Sequence, residues 1–439
     1  MTQLMNKKQE IKNRIDLINK GEVPEGYKRC WGYFYPADWH IEKLKNLFDK
    51  VKTKNANNAK LPVLTNSATQ GVILQDEYFD REIVNDDNTN GYYIVEDGDF
   101  MYNPRISSNA PAGPINRNHL GKRGIASPLY TVFRAKKEDN IDFIENYFKS
   151  NYWHRYMKSV SNQGARHDRL NLTDDDFMNM PIPQPSGKEQ EKIAEILSCC
   201  DKVIELKEKL IKEKNKQKKY ISNNLLLGKI KLKMYPNDYK KYKLKDVAIY
   251  QEGPGLRTWQ FTSNGIKVIN VTNIQQNGTL NIHNTNKYIS IEEFNRSYKH
   301  FLIDKDDIVI ASSGATYGKM AVVKEDDLPL IMNTSVIRFK VKDKIIYEYL
   351  KAFLGSDLLK KQIDLLITGS AQPNFGPYHL DRTYILVPTC ISEQEKISKI
   401  SEKLTKNIQV EENELEHYKQ LKKSLSQLLL TGIVRVNEV

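Results

Sequence analysis

Two stretches of this chain place apolar residues three and four apart, the spacing that lays a stripe along one face of a helix. In the first, the stripe is Ile193, Ile196, Leu197, Cys200, Val203, Ile204, Leu210, Ile211, Ile221 and Leu225. In the second it is Ile397, Ile400, Leu404, Ile408, Leu415, Tyr418, Leu421, Leu425 and Leu428. Lys207, Lys214 and Glu411 interrupt these stripes, and charges cover the outer faces. An interrupted but persistent stripe predicts a two-helix coiled coil with polar layers. Pro183 and Pro185 precede the first stretch and Pro388 the second, with Ser392 placed to cap the second. Gly228 and Gly432 stand where a left-handed terminal residue is wanted.

The two stretches also repeat one another. Glu189-Gln190-Glu191-Lys192-Ile193 returns as Glu393-Gln394-Glu395-Lys396-Ile397, and the Leu-Gly ends at Gly228 and Gly432 keep the same offset of 204 residues. Nothing is inserted or lost between the matched ends, as expected of one continuous helix whose length and facing are both fixed. About 40 residues make a rod of roughly 60 Å. Two such rods related by an internal two-fold run antiparallel, which makes them a spacer of set length.

Roughly 150 residues of mixed pattern precede each rod. Ile266–Val271, Asp307–Ala311 and Ser335–Phe339 read as strands, and Ile346–Leu366 as one or two helices. In the earlier region Gly98–Tyr102, Pro128–Phe133 and Ile141–Val160 take their places. A Gly-containing loop follows in each, and Gly164 and Gly369 both lie 19 residues before the proline that leads into the rod, Pro183 or Pro388. The segment Lys7–Asn19 reads as a short helix, placed beside the second rod near the C-terminus. The expected divisions are 1–23, 24–182, 183–233, 234–388 and 389–439.

Composition adds less. A chain of 439 residues with 39% hydrophobic and 28% charged residues has length enough for two or three domains. No apolar run reaches membrane-spanning length, and the Lys/Asn-rich start lacks an apolar signal core, so a cytoplasmic protein without a membrane partner is expected. Cys30, Cys199, Cys200 and Cys390 lack metal-type spacing and read as buried thiols. The net charge of +12 suits a polyanion partner without requiring one.

Asp306-Asp307-Ile308-Val309-Ile310-Ala311-Ser312-Ser313-Gly314 with Gly318-Lys319, then Gly369-Ser370-Ala371-Gln372-Pro373-Asn374, then Ser392-Glu393-Gln394-Glu395-Lys396-Ile397, resembles the DNA-specificity subunit of type I restriction–modification systems. The resemblance extends over nearly the whole chain and is tightest in its second half. In the first half Arg166-His167-Asp168-Arg169 and Asn103-Pro104-Arg105-Ile106 stand where the family pattern has other residues. The resemblance implies an α+β fold: two globular target-recognition domains joined by two long antiparallel helices in a coiled coil with pseudo-two-fold symmetry. It also implies a non-catalytic subunit whose domains each read one half of a bipartite, asymmetric site in double-stranded DNA. The helices would set the gap and dock two methyltransferase subunits, with motor-nuclease subunits in the full complex. No cofactor is expected on this chain; S-adenosylmethionine, ATP and Mg belong to the partner subunits.

The residues themselves suggest where DNA would be met. Gly314–Met320 looks like a phosphate loop but has one residue too few between its glycines, and Met320 replaces the hydroxyl that would meet magnesium. Read instead as a Gly-hinged turn, it offers Ser312, Ser313, Thr316 and Tyr317 as donors and Lys319 as a phosphate partner. An ordinary hairpin with Lys319 in solvent is the alternative. Ser370, Gln372 and Asn374 form a second polar loop, whose amides match adenine edges unless they only shape a turn. In the first domain the basic run holds Arg105, Arg117, Asn118, Lys122 and Arg123, and a second cluster holds Arg166 and Arg169. Arg257, with Trp259 and Gln260, is placed on the second domain's DNA face, a core position being the alternative for Trp259. Asp174–Asp176 should face away from phosphates. A coiled-coil protein adaptor without DNA specificity is the rival reading, and an autonomous DNA enzyme a third.

Overall fold

The computed structural model describes residues 2–78, 89–161, 168–314, 317–367 and 374–436. The two striped stretches are continuous helices, Gly187–Leu226 and Ile391–Leu429. Gly228 and Gly432 both have φ of +65°, and each amide closes back onto Leu225 or Leu429 at 3.0 and 3.1 Å. A side chain at Gly432 would put its Cβ 2.5 Å from Pro36, so the left-handed turn and the close approach both require glycine there. The chain divides into two compact units, Met1–Glu205 with Glu416–Val439, and Leu206–Leu415. Each long helix is therefore shared by both units.

Within each unit the two helices run antiparallel. In the first, Ile193 and Leu197 from the start of one helix share a core with Leu429 and Leu430 from the end of the other, and Lys422 pairs with Asp201. In the second, Leu225 and Leu226 share a core with Ile397. There the polar stripe positions meet: Glu411 receives Lys207 and, at 2.5 Å, Lys214.

The rest of the two units has one layout. The first holds an antiparallel sheet ordered Phe48–Lys50, Thr131–Ala135, Phe100–Tyr102, Ile115–Arg117. The second repeats it as Ala248–Glu252, Val336–Val341, Ile308–Ala311, Met320–Val322. A further four-stranded sheet in each has a central parallel pair, Val63–Ser67 with Gly124–Ala126 and Ile266–Ile269 with Leu330–Met332. Two helices follow the main sheet, Ile141–Phe148 and His154–Val160 or Tyr347–Leu354 and Asp357–Leu366. The fold is α+β, duplicated. No helix among the described residues is long and apolar enough to cross a membrane.

The repeated Glu-Gln pair has a structural job beyond helix length. Gln190 and Gln394 donate to the carbonyls of Pro185 and Pro388 at 2.9 and 2.8 Å, tying the proline turn to the helix. Glu189 and Glu393 are both fully buried. Glu189 accepts from Trp39 Nε1 at 3.1 Å and Glu393 from the Tyr239 hydroxyl at 3.2 Å. Isolated buried carboxylates are costly, so each has its donors built in.

Three sequence expectations need correction. The second helix begins at Ile391, so Ser392 lies inside its first turn; the cap position is held by Cys390, whose carbonyl takes the Glu393 and Gln394 amides. The cysteines are not buried: Cys199 is exposed and the other three are partly so. Gln260, expected on a surface face, is buried and donates to Glu293 and to Tyr298, at 3.0 Å for the latter, whereas Trp259 is 80% exposed and not in the core. The N-terminal helix spans Thr2–Asn19 and meets the C-terminal segment, with Arg14 donating to the Ile433 carbonyl.

Candidate nucleic-acid interface

In each unit, two loops that the sequence places some 60 residues apart are joined at one end of the main sheet. In the second unit, strand Ile308–Ala311 runs into Ser312, whose amide donates to Ser335 and whose carbonyl accepts from Phe375. Ser313 then pairs with Asn374 in an antiparallel bridge. In the first unit, strand Phe100–Tyr102 runs into Asn103, and Arg105 pairs with Arg169 in the corresponding bridge. Ile106 and Leu170 amides extend it to Asp168 and Pro104 at 2.9 and 3.0 Å. Gly113 permits the fold-back, because a Cβ there would lie 2.1 Å from the Asn103 carbonyl oxygen.

The bridged side chains differ in chemistry. Arg105 is exposed and Arg169 half-buried, and Asp168 lies 3.8 and 3.9 Å from their Nε atoms, too far for hydrogen bonds. Arg169 Nε is buried and has no hydrogen-bond partner among the described residues. Of the two guanidiniums only that of Arg105 stands mainly in solvent, and arginine suits guanine edges and phosphates. In the second unit the bridge carries the neutral Ser313 and Asn374, with Asn374 exposed.

Other sequence candidates fall in different places. The basic run around 103–123 is divided by the sheet: Phe100 lies opposite Arg117 and Tyr102 opposite Ile115, so Arg105 follows one strand end while residues 118–123 follow the other. Arg117 pairs with Asp142 at 2.8 Å, and Asn118 is buried with its amide on the Glu96 and Lys122 carbonyls. Neither is presented to a ligand. Lys122 and Arg123 are exposed, away from the bridged loops. Ser312 is fully buried, and Tyr317 gives its hydroxyl to Asp364 at 2.9 Å and stacks edge-on to Phe375. Burial, together with that acceptor, pushes the Tyr317 hydroxyl well above its usual range. Lys319 is half-buried at the base of the same turn. Arg257 is exposed, and its loop leaves the sheet beside Ser312, since Gly253 donates to Val336, the partner of Ala311. Arg166, Thr316, Ser370 and Gln372 lie outside the described residues. Asp174–Asp176 open a short helix with a Thr173 capping box, and Asp174 is paired with Lys50.

Residues 36–215 and 236–420 match the type I restriction modification DNA specificity domain. The chain belongs to the type I restriction modification DNA specificity family. Among curated relatives, the type I restriction enzyme MjaVIII specificity subunit of Methanocaldococcus jannaschii is 27% identical over 434 residues, covering 94% of this chain and 97% of that one. Among solved structures, a chain from a study of complex assembly and conformational transition of the type I R-M system aligns with a TM-score of 0.54 at 14% identity. That alignment covers 91% of this chain and 99% of the other. The type I restriction–modification S subunit from M. genitalium gives 0.50 at 16% identity, covering 89% and 96%. At these identities the likeness is one of fold, and it agrees with the duplicated α+β layout.

Sequence reasoning missed several cations of this family member. Lys52 and Lys54 are exposed on the loop that follows strand Phe48–Lys50 at the bridged end of the sheet. The lysine pairs Lys218-Lys219 and Lys422-Lys423, among the charges of the outer helix faces, obey the same 204-residue offset as the helix ends. No group of three or more His, Cys, Asp or Glu side chains among the described residues is arranged to hold a metal.

Proposed function

We propose that each unit of this type I specificity protein reads one half of a bipartite, asymmetric site in double-stranded DNA, using the end of the sheet where its two loops are bridged. One observation carries the reading: the strand order and the bridge are the same in both units, while the bridged residues are Arg105 and Arg169 in one and Ser313 and Asn374 in the other. A common frame with unlike tips is what two readers of different sequences need, because base edges specify while the frame only positions. The arginine pair favours guanine, and the Ser/Asn pair favours adenine.

In this reading the chain is non-catalytic. Its long helices set the separation of the half-sites and dock two methyltransferase subunits, with motor-nuclease subunits completing the complex. S-adenosylmethionine, ATP and Mg act on those partners. Half-sites about one helical turn apart, roughly 34 Å centre to centre, would present the same groove to both readers. The test is an exchange of residues 24–182 for the equivalent region of another family member, co-expressed with the methyltransferase, followed by mapping of methylated adenines. One half of the site should change and the other persist. A change in both halves, or in neither, means the units do not read independently.

A further inference from the structure

Beneath the bridged loops of each unit lies an open groove floored by a long helix. In the first unit it has a volume of about 750 Å³ and runs between Lys422 and Lys423, the turn at Lys149–His154, and the loop at Asn109–Gly113. In the second it has about 720 Å³ and runs between Lys218 and Lys219, the turn at Gly355–Lys360, and Tyr317–Lys319. No carboxylate lines the first groove, although Lys422 pairs with Asp201 outside it, and the second sets four lysines against Asp357 and Glu412. The helix lysines occupy equivalent positions, so both units present the same cations at the foot of unlike recognition loops.

We propose that these grooves hold the DNA backbone, one run of phosphates beside each half-site, so that the long helices grip DNA as well as fixing length. This rests on the function proposed above. Phosphate contacts carry no sequence information, so they should be alike in two units whose base readers differ, and the lysines are alike. The lining mixes apolar side chains such as Phe148 and Trp153 with Lys, Asn, Ser and Gln, and the lysines all come from the helix and the turn that face each other across the groove. A cavity of this size takes a stretch of one strand, not a duplex whose major groove alone is about 12 Å wide. Lys218 adds to the case: burial lowers its pKa, and Glu412 and Asp357 oppose that only at longer range, while its neighbour Lys219 holds Asp357 at 3.4 Å. A phosphate would supply the close counter-charge.

The experiment uses the full chain in complex with its methyltransferase and a duplex carrying the mapped site. DNA affinity is measured against KCl concentration for the wild type, a K218Q/K219Q/K422Q/K423Q variant and the corresponding four-arginine variant. Each lost phosphate contact lowers the salt slope by about 0.9, so the glutamine variant should fall by about 3 to 4 while the arginine variant keeps the wild-type slope. The methylated sequence should not change in either. An unchanged slope with site-specific methylation intact overturns the grooves and leaves the two-reader model standing. Loss of the methyltransferase from the complex with an unchanged slope also overturns them, because the grooves would then dock protein. A wild-type complex that shows no sequence preference at all would instead remove the reading on which the proposal rests.

Discussion

The two units meet the same demand, a buried glutamate at the start of a long helix, in different ways. Glu393 is satisfied by neighbours: the Tyr239 hydroxyl and the Asn237 amide, at 3.2 and 3.3 Å. Glu189 has Trp39 and, in addition, the guanidinium of Arg435, whose Nε and Nη2 lie 2.7 and 2.9 Å from its two oxygens. The same arginine reaches Asp38 at 3.0 and 2.9 Å. The residue equivalent to Arg435 in the second unit is Lys231, which is exposed. Connectivity explains the difference. In the second unit the helix ending at Leu226 leads by a short segment into the strand that begins at Tyr239, so chain continuity holds helix end to domain. In the first, the helix ending at Leu429 belongs to the far end of the chain and must be fastened to Asp38 and Glu189 without a covalent link. The ionic latch replaces a peptide connection.

The sharpest way to break this comparison is to remove the latch. Arg435→Ala strands a carboxylate that is 1% exposed, and breaking a buried pair in this way costs about 3–5 kcal/mol. Lys231→Ala at the equivalent position should fall within about 0.5 kcal/mol of wild type. Urea unfolding of both variants measures the contrast. Equal losses would show that the two helix ends are held by the same forces.

The duplication was legible because helix length, end glycines and the Glu-Gln pair all leave marks at one offset. The stripe residues Lys207, Lys214 and Glu411 were legible as a polar layer for the same reason: a charge on an apolar stripe has few places to go. The bridged loops were harder. Arg105 and Arg169 could be named as candidates, but their pairing joins two loops far apart in the chain, which no local pattern announces. Asn118 and Ser312 show the opposite failure. Their polar side chains in Gly-rich surroundings looked like surface, and only the sheet register shows that they turn inward. Trp259 was ambiguous for a related reason, since composition cannot say which side of a loop meets solvent.

Acid should separate the units next. Burial would raise the Glu145 carboxyl, but His119 at 2.9–3.0 Å and the charge of Lys149 outweigh it and hold the group at about 2. A carboxyl held this low stabilises the fold above its unfolded pKa near 4.3, and the contribution, about 3 kcal/mol, is lost as pH falls towards 2. His154 acts earlier: burial lowers it to about 4, so the unfolded chain takes up its proton first and stability falls from pH 6.5 downward. In the second unit Lys351 occupies the place of Glu145 in the corresponding eight-residue helix. There Asp307 and Glu252 are raised by burial, so acid relieves them. Hydrogen exchange from pH 7 to 2.5 should show residues 24–182 losing protection at higher pH than residues 234–388. Glu145→Gln should weaken the first unit at pH 7 and flatten its response below pH 4.5. Simultaneous loss of protection in both units would contradict the assignment.

The smallest expected difference lies at the helix starts, and it tests whether the two rods are held alike at their beginnings as well as at their ends. Ser186 accepts the Glu189 amide at 3.4 Å, a long cap bond, and Gln190 N–H goes to the Ser186 carbonyl at 2.9 Å. Cys390, at the equivalent position, offers the carbonyl interaction but a thiol in place of the hydroxyl, and sulfur is the weaker acceptor. Caps of this kind contribute about 0.5–2 kcal/mol, and the long bond at Ser186 puts it at the low end. Ser186→Ala should therefore cost roughly 0.5 kcal/mol, and Cys390→Ser should gain a similar amount, because it installs in the second rod the hydroxyl that the first already has. Thermal midpoints of the two variants should move in opposite directions. If Cys390→Ser destabilised the chain, the half-buried Cys390 would be packing there as an apolar group, and the two starts would differ in kind rather than in degree.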